Sequence, residues 1–402
     1  FGSEPKVDTQ YSIELPTSGG YDRYAIYVGE GMNVSVAVTY DDQFPGYRYF
    51  HGAGKVQASS NPADMRLQRS LGHISALTNY AQTKQTPKDV LVVACGAGVT
   101  AGSFVPYDAN ITIVDIEPMV PRYVTPQFAD SNHDVIPPSW SKRPTGYKKT
   151  NIVIDDGRHY IRTVKQKFDV ITSDPIDPWV KGCAALNTVE YYQMCKDHLK
   201  PGGIMALWIP FYESREETSK SVIGTFFKVF PNGIVWSNDQ NGAGYDAVLF
   251  GSVDMQGNAT PLKIDVTQIQ NYLEEEGHAK IKQSIRDVHF GERGVPGNCE
   301  AVELFSMYAG TANRMGATDK PISGHWLENT EHLINTDRNL RLQYVAGLWI
   351  NNTDEGKIFN NILKDYTYPQ DMFFGKQDQL QALYEILEMT GRHDPAANPA
   401  RN

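Results

Sequence analysis

The strongest constraint in this chain is a recurring phrase, a short apolar run that stops on glycine or aspartate. Val90-Leu91-Val92-Val93-Ala94 enters Cys95-Gly96-Ala97-Gly98-Val99, and Ile111-Thr112-Ile113-Val114 stops on Asp115. Asn151-Ile152-Val153-Ile154 reaches Asp155-Asp156-Gly157, and Phe168-Asp169-Val170-Ile171-Thr172 reaches Ser173-Asp174-Pro175. Gly203-Ile204-Met205-Ala206-Leu207-Trp208 follows the turn Pro201-Gly202, and Ala247-Val248-Leu249-Phe250-Gly251 reads as a closing strand. Apolar strands separated by helix-length segments predict a parallel sheet with helical crossovers. In such a sheet ligands bind beyond the carboxyl ends of the strands, near the switch in strand order. The residues gathered there are Gly96, Gly98, Asp115, Asp155, Asp156, Asp174 and Asp177. Glycine lets the backbone approach a nucleotide closely. A carboxylate ending the second strand can accept both ribose hydroxyls, and a later aspartate can accept from an adenine amino group. Each residue also has a plain structural reading: the glycines as a tight corner, Asp115 as a helix N-cap, and Asp174-Pro175-Ile176-Asp177-Pro178 as a turn. The ordered set points to nucleotide binding.

The flanks differ in character. Residues 1–65 alternate apolar and polar positions, as in Tyr24-Ala25-Ile26-Tyr27-Val28 and Asn33-Val34-Ser35-Val36-Ala37-Val38, which predicts an antiparallel β subdomain. Residues 66–255 hold the nucleotide-binding domain, and 256–402 a helical extension with helices expected over 265–276, 299–315, 338–350, 355–365 and 376–390. The Pro- and Ser-rich stretch 116–150 reads as a long loop over the site, and the tail 393–402 as disordered. A net charge of −10 leaves no Lys and Arg surplus for sequence-independent nucleic-acid binding. The four cysteines form no CxxC pair, and His51, His73, His133 and His159 are scattered, so neither a disulfide scaffold nor a metal site is expected. No apolar run approaches the roughly 20 residues that cross a bilayer. Glycosylation-type triplets at Asn33, Asn110, Asn258 and Asn351 carry little weight without a secretory signal.

Gly54-Lys55-Val56-Gln57, Gln68 with His73, the run from Val92 to Gly98, Ile113-Val114-Asp115-Ile116-Glu117, Ile154-Asp155-Asp156-Gly157 and the run from Phe168 to Pro178 carry a family resemblance. Over roughly residues 20–250 the chain resembles the spermidine-synthase-like polyamine aminopropyltransferases. Gly54-Lys55-Val56-Gln57-Ala58-Ser59, Asp64-Met65-Arg66-Leu67-Gln68, Pro178-Trp179-Val180, Asn335-Thr336-Asp337 and Leu342-Gln343-Tyr344 are similar to a branch often fused to membrane-spanning segments. Such a segment would lie outside this chain, whose opening Phe1-Gly2-Ser3-Glu4 reads as the trace of a cut. The resemblance implies a Rossmann-like α/β fold of the class I methyltransferase type and a homo-oligomer. It also implies a cytoplasmic domain, free or tethered to a membrane. It assigns the nucleotide end to Gln57, Gln68, Gly96, Gly98, Asp115, Asp155, Asp156 and Gly157, with Asp115 on the ribose and Asp156 on the adenine. Asp174 would accept the attacking amine's proton, and Asp177 would hold a cationic substrate.

Three departures concern the substrate end. Ala97 stands where the family carries an aspartate, Leu67-Gln68-Arg69 replaces a Tyr-Gln/His-Glu triplet, and Trp179 and Lys181 replace small residues. They leave the donor open between decarboxylated and intact S-adenosylmethionine, with Arg69 or Lys181 able to pair the carboxylate of the intact form; Arg69 reads equally as a solvated helix charge. Aminopropyl transfer to a small-molecule amine is the leading expectation. Methyl transfer, cyclisation or elimination of the donor without a second substrate, and a non-catalytic nucleotide sensor are the rivals.

Overall fold

The computed structural model describes residues 23–141, 143–174, 177–240, 243–292, 299–312, 326–348, 350, 355–364 and 372–389. The expected disordered tail and the Asn351 triplet lie outside the described residues. The first structure is an antiparallel meander of β1 (Arg23–Glu30), β2 (Ser35–Asp41), β3 (Tyr49–Gly52) and β4 (Lys55–Ser59), paired in that order. Helix α1 (Pro62–Thr83) follows at once. Asn61 caps it by accepting from the Ala63 amide, Pro62 fills the first turn, and Lys84 ends it in the left-handed conformation. The expected boundary at 65/66 therefore falls inside α1.

The chain then builds the central sheet. Strand β5 (Asp89–Val93) leads through α2 (Val99–Gly102) to β6 (Asn110–Asp115), and then to β7 (Thr150–Ile154). Helix α3 (Gly157–Thr163) precedes β8 (Phe168–Ser173), and α4 (Val189–Asp197) precedes β9 (Leu199–Pro210). Helix α5 (Glu216–Val229), β10 (Ile234–Gln240) and β11 (Ala243–Ser252) complete this part. Strands β7, β6, β5, β8 and β9 run parallel in that spatial order, and β11 and β10 add antiparallel beside β9. The path moves outward from β5 through β6 to β7, then returns to place β8 on the other side of β5. The switch in strand order therefore lies between β5 and β8, where the glycine turn and Asp174 meet.

Alternation within the apolar strands divides the core, as period 2 requires. Val90 and Val92 face Leu71, Ile74 and Leu77 of α1, whereas Leu91 and Val93 face the layer holding Tyr191, Tyr192, Phe226 and Phe227. Strand β10 escaped the sequence reading although Ile234-Val235-Trp236 follows the turn residues Asn232-Gly233.

The remaining chain is less purely helical than expected. Two-residue β12 (Ile264–Asp265) opens α6 (Val266–Glu274), followed by α7 (Ala279–Arg286). Helix α8 (Glu300–Phe305) ends where the expected helix 299–315 was to continue, and β13 (Tyr308–Thr311) pairs with β10 as the eighth strand of the central sheet. Helices α9 (Arg341–Gly347) and α10 (Glu355–Lys364), strand β14 (Phe373–Phe374) beside β12, and α11 (Gln377–Met389) follow. Among the described residues no helix is long and apolar enough to cross a membrane.

Candidate functional site

The glycine turn is built from left-handed backbone. Ala94 (φ 75°), Gly96 (φ 51°) and Gly98 (φ 79°) all have positive φ, and Gly98 N–H donates to Cys95 C=O at 2.8 Å. A Cβ on Gly98 would stand 2.4 Å from Thr125 Cγ2, whereas one on Gly96 would meet nothing within 4 Å. One flank of the turn is thus closed by protein and the other faces open space. The closed flank belongs to 116–150. That stretch is packed against the turn through buried Val124, Phe128 and Val135, with Thr125 Oγ1 donating to Gly96 C=O and Asn132 Nδ2 donating to Ala97 C=O, both at 2.9 Å.

Asp115, at the end of β6, fixes the turn from below. Its Oδ2 accepts from Cys95 N–H and its Oδ1 from Glu117 N–H, both at 2.8 Å. It caps no α-helix. Burial pushes its carboxyl up to about 6, against the lowering effect of these two amides. Each oxygen keeps a second lone pair, so ribose hydroxyls can still be accepted. At the end of β7, Asp155 accepts from Asp156 N–H at 2.8 Å and pairs with His159 Nδ1 at 2.7 Å. Asp156 is exposed and N-caps α3 by accepting from His159 N–H at 2.8 Å. Gly157 is buried because a Cβ there would come within 2.6 Å of Val93 Cγ1.

Asp174 stands across the switch point, its amide donating to Val93 C=O at 3.1 Å. Thr100 Oγ1 lies 3.4 Å from its Oδ2. The carboxyl is closely surrounded by protein although the residue keeps some exposed surface, and this burial raises it to about 6. Asp177 is 1% exposed. Burial raises its carboxyl too, while Lys55 pulls it the other way through a 3.1 Å contact with Oδ2. Trp179 flanks that contact, and Gln343 Nε2 of α9 donates to its carbonyl at 3.0 Å. Gln57 on β4 and Gln68 on α1 are half-buried, and Lys181 is exposed.

Two substrate-end expectations need correction. Arg69 neither pairs a ligand nor sits in solvent: it is 2% exposed, donating from Nη1 to Ser284 C=O at 2.9 Å and from Nη2 to Ser131 C=O at 2.8 Å. It ties α1 to α7. Burial of α1 against the C-terminal helices, which the local sequence does not display, decides this. Ala97 is 1% exposed and offers a ligand no accessible surface. His73 belongs to the Arg69 cluster, with Tyr107 Oη at 2.9 Å and Ser284 Oγ at 2.8 Å from its ring nitrogens.

Four residues at this end were not singled out in the sequence. Thr100 sits beside a quoted motif, Lys55 lies inside one without a role assigned to it, and Glu213 follows β9 by three residues. Asp246 on β11 is 3% exposed, and burial lifts its carboxyl to about 8 despite the Trp208 indole N–H at 3.3 Å. Asp174 and Asp64 add like charge to it. A lone aspartate opening an apolar strand was the available signal. Among the described residues no group of three His, Cys, Asp or Glu could hold a metal ion.

Residues 65–233 match the family model described as the spermine/spermidine synthase domain. The chain is 30% identical over 153 residues to polyamine aminopropyltransferase 2 of Hyperthermus butylicus, covering 37% of this chain and 45% of that protein. It is 26% identical over 230 residues to the polyamine aminopropyltransferase of Nitrosomonas europaea, covering 56% of this chain and 64% of that protein. The chain thus spans less than half of the first relative and just under two thirds of the second. A solved spermidine synthase from Thermotoga maritima superposes with a TM-score of 0.47 at 22% identity, over 63% of this chain and 79% of that one, below the level at which a shared fold is argued. The stretch that matches this family model carries the glycine turn and the strand-end acids.

Proposed function

We propose that the chain is an aminopropyltransferase-like enzyme that takes a sulfonium nucleotide and alkylates an amine, with Asp174 as base. The observation that carries this reading is the Asp174 carboxyl, enclosed at the switch point and raised to about 6. A base of that strength is mostly ionised at neutral pH yet still takes up a proton readily.

An ammonium group cannot attack carbon, because a proton occupies its lone pair. Asp174 would orient the amine and receive its proton as the new C–N bond forms. The C–S bond breaks with both electrons going to sulfur, so the leaving group is a neutral thioether. The positive sulfur supplies the activation, and the protein's part is alignment of nucleophile and carbon. Gln57, Gln68, the turn from Ala94 to Gly98, Asp115, Asp155 and Asp156 would hold the nucleoside. The open face at Gly96 and the spare lone pairs on Asp115 support that fit.

With Arg69 committed to Ser284 and Ser131, one of the two cations that could pair a donor carboxylate is lost. We therefore favour decarboxylated S-adenosylmethionine. Calorimetric titration with each donor tests this, and tight binding of the intact donor alone would overturn it. Mass spectrometry of the nucleoside product tests the reaction: methylthioadenosine marks alkyl displacement or cyclisation, which a control without amine separates, and S-adenosylhomocysteine marks methyl transfer. Asp174→Asn is expected to lower kcat by about 10²- to 10⁴-fold, the span of general base catalysis. The wild-type rate should rise with pH through about 6 as Asp174 ionises. Unchanged turnover in the variant would remove Asp174 from the mechanism.

A further inference from the structure

Lys55 opens β4 directly after Ala53 (φ 52°) and Gly54 (φ 83°). Two successive positive φ values form the primed hairpin turn whose twist suits paired strands. The Lys55 side chain reaches residues remote in sequence. Its ammonium donates to Asp177 Oδ2 at 3.1 Å and to Glu213 Oε2. It lies 4.7 Å from the ring centre of Trp179 and 5.1 Å from that of Tyr212. Two carboxylates and two aromatic faces around one ammonium are the groups with which proteins recognise cations.

Two further observations set this cluster apart from a surface ion pair. Asp177 is 1% exposed and its Oδ1 has no hydrogen-bond partner, so its charge is held dry. Glu213 is held at φ 47°, a left-handed conformation that costs a non-glycine residue energy and persists only where the surroundings enforce it. An exposed ion pair requires neither.

The cage also has a telling position. Asp174 precedes Asp177 by three residues, a length of chain that reaches at most about 10 Å. An amine aligned on Asp174 and carrying a short cationic tail would bring that tail to the cage. Building on the amine-alkylation reading above, we propose that Lys55 is a resident occupant of the acceptor's cation subsite, so that the acceptor is a monoamine with no second positive charge at this end. A diamine would have to displace Lys55 or place a like charge beside it. Lys55 is thus a specificity-determining residue for the acceptor.

The test has two arms. In the first, kcat/KM is compared for n-butylamine and 1,4-diaminobutane, which differ by the second ammonium. The wild type should use n-butylamine at least as well, and Lys55→Ala and Lys55→Gln should shift the ratio toward the diamine by about tenfold, the size of one charge-assisted contact. In the second arm, thermal unfolding is followed in n-butylammonium chloride against equal sodium chloride. The variants' Tm should rise saturably with n-butylammonium and by more than the wild type's, because the vacated cage adds a second place for the cation beside Asp174. A wild type that prefers the diamine tenfold, or variants whose Tm responds no more than the wild type's, would overturn the proposal. Where the variants do not fold, the wild-type acceptor ratio alone decides it. A Tm response as expected in a protein that consumes no amine would retire the alkyl-transfer reading and leave the Lys55 cage standing.

Discussion

Asp246 shows what burial does to a carboxyl with weak support. Its Oδ2 has the Trp208 indole N–H at 3.3 Å, the Asn238 side chain also favours the charged form, and burial still lifts it from 3.8 to about 8. The folded protein therefore holds this proton more tightly than the unfolded chain does. The resulting stability is fully present below pH 3.8 and is lost as pH rises towards about 8. Asp246→Asn keeps the shape and an acceptor for Trp208 but cannot ionise. Its stability relative to wild type should widen steadily across that window and reach roughly a few kcal/mol at the alkaline end. Chemical denaturation at several pH values reads this directly. A pH-independent gap would show that Asp246 titrates like an ordinary surface aspartate.

At the scale of the element, the glycine turn is the piece with least latitude. Gly98 needs positive φ, and its Cα points at Thr125 Cγ2, where a methyl group would sit 2.4 Å away. Gly98→Ala is expected to cost about 1–3 kcal/mol from the left-handed backbone and the overlap together. It should also weaken sulfonium-nucleotide binding, because relief of the overlap moves the turn or Thr125, which donates to Gly96 C=O. Equilibrium denaturation and nucleotide titration of one variant separate the two effects, and a variant with both unchanged would show the turn to be slack. This turn and the strand-end acids were legible in the sequence because strand, turn and carboxylate are contiguous and their order carries the topology. Lys55, Glu213 and Asp246 were not, because they lie on three separate elements and only the tertiary fold brings Lys55 to Glu213 and Asp246 to Asp174. Arg69 was misread for a related reason: its partners Ser131, Ser284 and Asp287 are distant in sequence, so its helix gave no sign of burial.

At the scale of the whole molecule, the question is whether the C-terminal part is an appendage or shares the core. Trp236 of β10 is fully buried, and its indole packs against Phe250 of β11 from one side of the sequence and against Phe305, Tyr308 and Phe373 from the other. Strand β13 covers the outer edge of β10, and Arg69 joins α1 to α7. A domain boundary at 255/256 would cut through this packing. A chain ending at Glu292 would lose β13, leave the β10 edge unpaired and strip three aromatic rings from Trp236. Truncating one such buried contact costs about 3–5 kcal/mol, comparable with much of a domain's net stability. An open apolar edge beside it is also a template for strand pairing between molecules. The truncated chain is therefore expected to aggregate or to unfold without the single cooperative transition of the full chain. Calorimetry with light scattering on the two proteins decides the matter. A soluble fragment melting at the full chain's temperature would show that residues 299–389 stand apart from the core, and that Trp236 gains nothing from them.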